Sequence, residues 1–219
     1  MIEERKKEFI SFMIESDVLK FGEFTTKSGR KTPYFINTGN YRTGRQFNVL
    51  GKFYAQMVKE SCCEYTALFG PAYKGIPLAA CCSNALYSQY NLDKPFFFNR
   101  KEAKDHGEGG SLVGYAPKDG DKIIIVEDVI TAGTAVREVI PILRSCGDIS
   151  CKDMFISVDR REIGQNFNKT AVDEVRDEFG INIHSIVDVN DIRKYLDGKA
   201  EFENYLEKMD EYMKKYCLV

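Results

Sequence analysis

Hydrophobic positions in this chain change their spacing at regular intervals. Over residues 3–19 and 45–59 they recur every three or four positions, which predicts amphipathic helices. Between such segments the apolar residues form short continuous runs, and the run at 123–126 consists only of isoleucine and valine, as in a strand covered on both faces. Strands are predicted at 65–69, 95–99, 123–126, 154–158 and 181–187, and further helices at 75–90, 134–146, 169–179 and twice more towards the C-terminus.

This alternation predicts an α/β fold, with a central parallel sheet flanked by helices and joined by right-handed crossovers. The length of 219 residues fits a single domain over 1–219. The stretch at about 20–42 is rich in glycine, threonine and aromatic residues and falls outside the alternation. We expect it to be extended and irregular, and to cap the carboxyl edge of the sheet as a small N-terminal hood.

The segment KIIIVEDVITAGTAVR, at 122–137, carries the clearest chemical signal. A buried strand delivers Glu127 and Asp128 to the carboxyl edge of the sheet, where a carboxylate pair that faces solvent can accept hydrogen bonds from the vicinal hydroxyls of a ribose. The small residues at 131–135 leave backbone N–H groups free to surround a phosphate at the start of the next helix. The alternative is a core strand with a solvated end and an ordinary helix cap.

Two further segments follow predicted strands at the same edge. GPAYKG, at 70–75, has the glycine spacing of a P-loop but lacks its Lys-Ser/Thr pair; its backbone and Lys74 could face a diphosphate, or it could be a plain strand-to-helix turn. The polar segment at about 100–112 carries three cations, a histidine and several glycines. It could be a mobile loop that closes over a ligand, or a solvated connector.

Near the N-terminus, Tyr34 and Phe35 follow a segment that contains Lys27. Aromatic side chains can flank a planar anionic base while a lysine meets its charge. The alternative is a pair of core aromatic residues in an extended segment. His184 lies in a strand-like run, and we expect it to have a structural role.

The segment at 122–137 resembles the signature of the type I phosphoribosyltransferase family. FGEFTTKSGRKTPYF at 21–35, FGPAYKGIP at 69–77 and NRKEAKDHGEGG at 99–110 narrow the resemblance to members that transfer the phosphoribosyl group to orotate. It implies the type I phosphoribosyltransferase fold. The phosphoribosyl diphosphate contacts that it implies are Lys27, Tyr73, Lys74, Arg100, Lys101, Lys104, His106, Glu127, Asp128, Val129, Ile130, Thr131, Ala132, Gly133, Thr134 and Ala135, and the orotate contacts are Tyr34, Phe35, Thr131 and Arg160.

The resemblance also implies a cofactor and an assembly. Mg²⁺ is expected to be held mainly by substrate oxygens and water, with no direct protein ligand assigned. A homodimer with shared active sites is expected, in which Lys101, Lys104 and His106 reach into the neighbouring subunit. The catalytic candidates are Lys104, His106 and Asp128, and the choice of a general acid among them stays open. Glu127 stands where an Asp is common, and Tyr34 where a Phe is frequent.

Composition and charge restrict the partners. The net charge of −2 gives no broad basic surface, so we expect no nucleic acid, and no apolar run approaches the roughly 20 residues of a membrane span. Seven cysteines without CxxC spacing predict neither zinc nor disulfides; those at 62, 63, 81 and 82 are expected to act as small core residues. The charged N-terminus and the free thiols favour the cytoplasm.

Two other functions remain open at this point. A phosphoribosyltransferase that accepts a purine would share the signature. A regulator that senses phosphoribosyl diphosphate without catalysis would bind the same ligand and release no diphosphate, although the loop at 100–110 and the absence of a nucleic-acid-binding motif argue against it.

Overall fold

The computed structural model of the chain describes residues 2–26, 29–102, 111–130, 133–166 and 168–218, with Thr134 described by its backbone only. The helices are α1 (Glu4–Glu15), α2 (Gly44–Glu60), α3 (Gly75–Tyr90), α4 (Thr134–Arg144), α5 (Ala171–Phe179), α6 (Val189–Leu196) and α7 (Glu203–Tyr216). The strands are β1 (Leu19–Thr25), β2 (Lys31–Ile36), β3 (Ala67–Gly70), β4 (Phe96–Asn99), β5 (Leu112–Gly114), β6 (Lys122–Val126), β7 (Ser150–Asp159) and β8 (Asn182–Asp188).

Six strands form the main sheet in the order β5-β4-β3-β6-β7-β8. Five neighbouring strands of this sheet, β4, β3, β6, β7 and β8, are parallel, which confirms the α/β prediction. β5 pairs antiparallel with β4 and was not predicted. It has only three residues, none of them buried, so its sequence lacks the apolar run that marks the other strands.

Strand β6 lies at the centre of two hydrophobic cores. Ile123 and Ile125 pack on one face of the sheet with buried residues of α4 and α5. Ile124 and Val126 pack on the other face, against the core that α1, α2, α3, α6 and α7 complete. Full burial of each such side chain stabilises the fold by roughly 1.5–3 kcal/mol. The continuous β-branched run therefore indicated the burial of both faces correctly.

The N-terminal segment is more regular than predicted. Helix α1 ends at Glu15, and Asp17 has a φ of 60°, which is incompatible with a continuing helix. Leu19, which the sequence placed in the helix, instead begins β1. Strands β1 and β2 form an antiparallel hairpin, which we call the hood hairpin, followed by a short 3₁₀ turn at Thr38–Asn40.

The structure also refines smaller expectations. His184 stacks on Phe155 at a centroid distance of 4.7 Å, and its Nε2 lies 2.8 Å from Oδ1 of Asp153, which confirms its structural role. All seven cysteines are free thiols. Cys62 is exposed rather than packed in the core, because it follows the end of α2 in a turn. Among the described helices, none has the length and apolarity that a membrane crossing requires.

The carboxyl edge of the main sheet gathers the predicted site segments. β3 ends at Gly70, β4 at Asn99, β6 at Val126 and β7 at Asp159. The next residues along the chain are, respectively, the turn at 71–74, Arg100, the acid pair and Arg160. Parallel strands thus bring together side chains that are far apart in sequence.

Candidate active site

Glu127 and Asp128 follow directly after β6, and both are buried, each 6% exposed. The prediction that this pair faces solvent is therefore wrong. The backbone explains the difference: the N–H of Glu127 donates to the carbonyl of Phe155 at 3.0 Å, and the N–H of Ser157 donates to the carbonyl of Asp128 at 2.8 Å. These bonds continue the pairing with β7 beyond the end of the strand and hold both acids inside the sheet edge.

Burial changes the acid–base behaviour of Glu127. Desolvation, with a further contribution from the negative charge of Asp128, raises the pKa of Glu127 to about 8. One Glu127 oxygen accepts a hydrogen bond of 2.8 Å from the N–H of Asp128. Burial and the neighbouring acid therefore both favour the protonated form of Glu127.

The carboxylate of Asp128 accepts hydrogen bonds from three segments of the chain. Its Oδ2 accepts hydrogen bonds from Nζ of Lys74 at 2.9 Å and from Oγ1 of Thr38 at 2.6 Å. Its Oδ1 accepts from the N–H of Val129 at 2.7 Å. Lys74 belongs to the turn after β3, and Thr38 to the 3₁₀ turn after the hood hairpin. The acid is thus oriented by the sheet edge, the hood segment and the neighbouring turn together.

The turn after β3 depends on two glycines that lie against each other. A Cβ on Gly70 would come within 2.3 Å of the carbonyl oxygen of Gly75, so neither position has space for a side chain. The N–H of Ala72 donates to Oδ1 of the buried Asn99 at 2.9 Å, which ties this turn to the end of β4. Tyr73 is 66% exposed, with Nζ of Lys101 5.6 Å from its ring centroid.

The predicted phosphate cradle is described in part. Gly133 has a φ of 70° and precedes the first residue of α4, as expected for a glycine turn into a helix. A Cβ at Gly133 would lie 2.7 Å from Cγ2 of Val175 in α5. Val129 is half-buried, Ile130 is buried and Ala135 is exposed. Thr131, Ala132 and the side chain of Thr134 lie outside the described residues.

The loop cations are also described in part. Nη1 of Arg100 is buried and has no hydrogen-bond partner within the described part of the chain. A buried guanidinium nitrogen without a partner is costly, and an anionic ligand would satisfy it. Lys27, Lys104 and His106 fall in the segments outside the described residues, and their predicted roles stay predictions.

Three of the residues predicted to contact orotate, Tyr34, Phe35 and Arg160, lie in β2 and at the start of the segment after β7. We call this region the acceptor side. Tyr34 is fully buried, and the guanidinium carbon of Arg160 lies 5.0 Å from its ring centroid. Phe35 is 41% exposed and stacks on Phe24 at 5.4 Å. Tyr34 thus presents no surface to solvent in this form, whereas Phe35 does.

Sequence reasoning missed several residues that support the acid pair. Thr38 contacts Asp128 directly, the hydroxyl of Tyr54 donates to the carbonyl of Glu127 at 2.7 Å, and the hydroxyl of Ser157 donates to the carbonyl of Asp128 at 2.6 Å. Thr38 carried no signal, because a hydroxyl residue in a turn is common. Ser157 carried a weak one, as a polar residue inside an apolar strand.

The acid pair suits a magnesium ion that arrives with its substrate. Within the described ranges, no three His, Cys, Asp or Glu side chains are grouped as a metal site. Glu127 and Asp128 do offer carboxylate oxygens, and Mg²⁺ is commonly held by one or two carboxylates, water and substrate phosphates. The donor set therefore fits the predicted cofactor but not a metal cage made only of protein.

Comparison with known proteins identifies the relatives of this chain. Residues 41–162 match the family profile of the phosphoribosyl transferase domain. An orotate phosphoribosyltransferase of Clostridium beijerinckii is 50% identical over 96% of this chain and 97% of its own length. One of Clostridium acetobutylicum is 47% identical over 98% of the chain and 99% of its own. The crystal structure of an orotate phosphoribosyltransferase from Francisella tularensis, 37% identical, superposes with a TM-score of 0.86 and covers 96% of this chain and 100% of that one.

Proposed function

Because this chain belongs to the orotate phosphoribosyltransferase family, we propose that it transfers the 5-phosphoribosyl group from phosphoribosyl diphosphate to a ring nitrogen of orotate. The products are orotidine 5-phosphate and diphosphate, and the step belongs to pyrimidine nucleotide synthesis. The observation that carries the proposal is the buried Glu127–Asp128 pair at the end of β6, with Lys74 and Thr38 on its carboxylate. The predicted cytoplasmic location is part of this proposal.

Ribose recognition is assigned to the acid pair. Hydroxyl groups of the sugar would donate hydrogen bonds to the carboxylates of Glu127 and Asp128, in the same way as the hydroxyl of Thr38 and backbone N–H groups do in the structure. The 5-phosphate would bind at the turn of Gly133 and the first residues of α4, where backbone N–H groups and the positive end of the helix dipole favour an anion. The resemblance assigns residues 131–132, which lie outside the described ranges, to the same cradle.

Diphosphate binding is assigned to the cations at the sheet edge. Lys74 is bound to Asp128 but its side chain is 60% exposed, so it can reorient from the acid towards an arriving diphosphate. The unpartnered nitrogen of Arg100 would gain an acceptor. Mg²⁺ would be held mainly by substrate oxygens and water next to Glu127 and Asp128, and it would supply positive charge that stabilises the leaving group.

Catalysis in this proposal is mainly positional and electrostatic. The bond between the anomeric carbon and diphosphate breaks while positive charge develops on the sugar, and the ring nitrogen of orotate forms the new bond. The carboxylates of the acid pair stabilise the charge on the sugar. Lys104 balances the charge of the departing diphosphate, so its replacement by Ala would lower turnover far more than donor affinity.

A homodimer with shared sites is also part of the proposal. Lys101, Lys104 and His106 would reach the active site of the neighbouring subunit. Lys101 lies over the ring of the exposed Tyr73 in the single chain, at the same edge as Lys74.

A panel of acceptor bases tests the function. The purified chain is incubated with phosphoribosyl diphosphate, Mg²⁺ and either orotate, uracil, hypoxanthine or adenine, and released diphosphate is measured. We expect release that requires both orotate and Mg²⁺. Release with hypoxanthine but not with orotate would assign the chain to purine chemistry, and tight binding of the donor without release for any base would indicate a sensor.

A further inference from the structure

Glu162 connects three elements behind the acceptor side of the site. Its Oε1 lies 2.7 Å from Nη2 of Arg160 and accepts a hydrogen bond of 2.5 Å from the hydroxyl of Tyr212. Its Oε2 accepts a hydrogen bond of 3.3 Å from Nη1 of Arg30. Arg160 follows β7, Arg30 precedes β2 and Tyr212 lies in α7. A single carboxylate therefore ties the sheet edge to the hood hairpin and the C-terminal helix.

The backbone around Glu162 is held by the last residues described. The N–H of Ile163 donates to the carbonyl of Tyr216 at 2.9 Å, and the N–H of Leu218 donates to the carbonyl of Arg161 at 3.0 Å. Glu162 itself pairs with Cys217 as an antiparallel bridge. The backbone is thus held on both sides of Glu162, the residue that pairs with Arg160.

Arg160 retains capacity for a ligand in this arrangement. Its side chain is 12% exposed, and its Nε is buried without a hydrogen-bond partner in the described ranges. The hydroxyl of Tyr34, whose ring lies beside the guanidinium, is buried and unpartnered in the same part of the structure. Two polar groups that need partners therefore lie next to each other on the acceptor side.

The charges at this place also favour an anion. Arg30 and Arg160 contribute two positive charges and Glu162 one negative charge, which leaves one positive charge in a largely buried cluster. An acceptor base with a carboxylate would neutralise it. A neutral base would leave both the charge and the unpartnered nitrogen of Arg160 unsatisfied, which is the usual physical basis for rejecting an analogue that lacks a polar group.

We propose that Glu162 is a positioning residue that orients Arg160 for the carboxylate of the acceptor. Glu162 touches neither substrate; it fixes the arginine side chain before the base binds, so that less rotamer freedom is lost on binding. Tyr212 holds Glu162 in turn, and the C-terminal helix thereby contributes to acceptor specificity. The inference rests on the proposed transfer to orotate and on the assignment of Arg160 to the acceptor side.

The test compares four variants, Glu162→Gln, Tyr212→Phe, Arg160→Lys and a control, in steady-state kinetics with each substrate varied separately. Glu162→Gln keeps the shape and loses the charge, and we expect its KM for orotate to rise about tenfold, with kcat and the KM for phosphoribosyl diphosphate within about twofold of wild type. Tyr212→Phe removes the hydroxyl that binds Glu162 and keeps the ring, and we expect a smaller rise of about threefold.

Glu23→Gln is the matched control. Oε1 of Glu23 accepts a hydrogen bond of 2.8 Å from Nζ of Lys208, which also joins the hood hairpin to α7 but does not involve Arg160. We expect this variant to keep both KM values. Urea unfolding of all four variants establishes that they are folded at the assay temperature.

The outcomes separate the two proposals. An unchanged orotate KM in Glu162→Gln, or an equal rise of both KM values, would overturn the positioning role. A wild-type chain that turns over orotate while Arg160→Lys keeps the wild-type orotate KM would overturn it as well, without affecting the transfer reaction. A wild-type chain inert towards orotate would overturn the proposed function, and with it the inference.

Discussion

At the scale of single residues, the two adjacent acids of the site have different environments. Asp128 accepts bonds from Lys74 and Thr38, and both donors stabilise its carboxylate. Glu127 is equally buried, and burial together with the negative charge of Asp128 raises its pKa to about 8. A substrate that brings cations to this edge would favour ionisation of Glu127, since an opposite charge nearby stabilises the charged form.

The raised pKa of Glu127 predicts a pH dependence of stability. In the unfolded chain the ordinary pKa of about 4.5 applies, whereas the folded value is about 8. Between these pH values the unfolded state has lost the proton and the folded state keeps it, so this group lowers the free energy of unfolding as pH rises from about 4.5 to about 8. Urea unfolding between about pH 5 and pH 9 measures the effect.

Glu127→Gln provides the comparison for that experiment. The variant cannot ionise at this position, so its free energy of unfolding should decline less steeply with pH over the same window, with all other titrating groups unchanged. Parallel profiles for wild type and variant would mean that Glu127 has an ordinary pKa in the folded chain.

Thr38 offers a second prediction at this scale. Thr38→Ala removes the 2.6 Å hydrogen bond to Asp128, and we expect the Kd for phosphoribosyl diphosphate to rise about tenfold, because a bond to a charged group contributes about 1.5 kcal/mol or more. Thr38→Ser keeps the hydroxyl and should bind nearly as wild type. Isothermal titration with Mg²⁺ present distinguishes them; equal affinity in all three proteins would exclude a role for this hydroxyl.

At the scale of elements, the turn from β6 into α4 depends on the backbone of Gly133. Gly133→Ala places a Cβ 2.7 Å from Cγ2 of Val175 and requires a φ of 70° from a residue that disfavours it. We expect a loss of about 2–3 kcal/mol in the free energy of unfolding, about 1–2 of it from the left-handed backbone alone. Weaker donor binding should accompany it, because the cradle begins at this turn.

Gly180→Ala separates these contributions. Gly180 has nearly the same φ, 69°, but a Cβ there would have no atom within 4 Å. This variant should lose only the backbone part of the free energy and keep wild-type affinity for phosphoribosyl diphosphate. If both alanine variants bind the donor equally well, the turn at Gly133 has no part in the phosphate site.

The elements that sequence predicted well are those whose burial decides their pattern. β6 is covered on both faces and reads as an unbroken apolar run, and α3 was predicted at 75–90, where the structure places it. β5 is short and partly exposed, and the hood hairpin depends on pairing between Leu19 and Ile36, which no local pattern reveals. Tertiary pairing creates these elements, so their sequence alone does not specify them.

The residues of the site also divide into those that the sequence predicts and those that only the assembled fold reveals. Glu127, Asp128, Lys74 and Gly133 were predicted because each follows a strand or begins a helix at a recognisable motif. Thr38 meets Asp128 across 90 residues of sequence, and Glu162, which contacts Arg160, is also bound by Arg30 and Tyr212 from distant parts of the chain. Contacts of this kind follow from the assembled fold. The burial of the acid pair was mispredicted for the same reason, since the continued pairing with β7 has no local signal.

At the scale of the whole molecule, the proposed homodimer predicts complementation between inactive subunits. Asp128→Asn removes an acid that stays within its own subunit's site, and Lys104→Ala removes a loop cation proposed to act in the neighbouring site. Each variant alone should have little activity. After the two are mixed under conditions that exchange subunits, random pairing gives hybrid dimers with one intact site, and about one quarter of the wild-type activity should return.

Sedimentation of the wild-type chain accompanies that assay and establishes its oligomeric state. A dimer without recovered activity would place Lys104 in the site of its own subunit. A monomer with full activity would contradict shared sites altogether.

The proposed function requires that the edge formed by the acid pair and the Gly133 turn binds the phosphoribosyl group. The most direct measurement is a crystal structure of the chain with phosphoribosyl diphosphate and Mg²⁺. We expect the ribose hydroxyls within hydrogen-bond distance of Glu127 and Asp128, and the 5-phosphate at the start of α4. A 5-phosphate bound anywhere else on the molecule would contradict it.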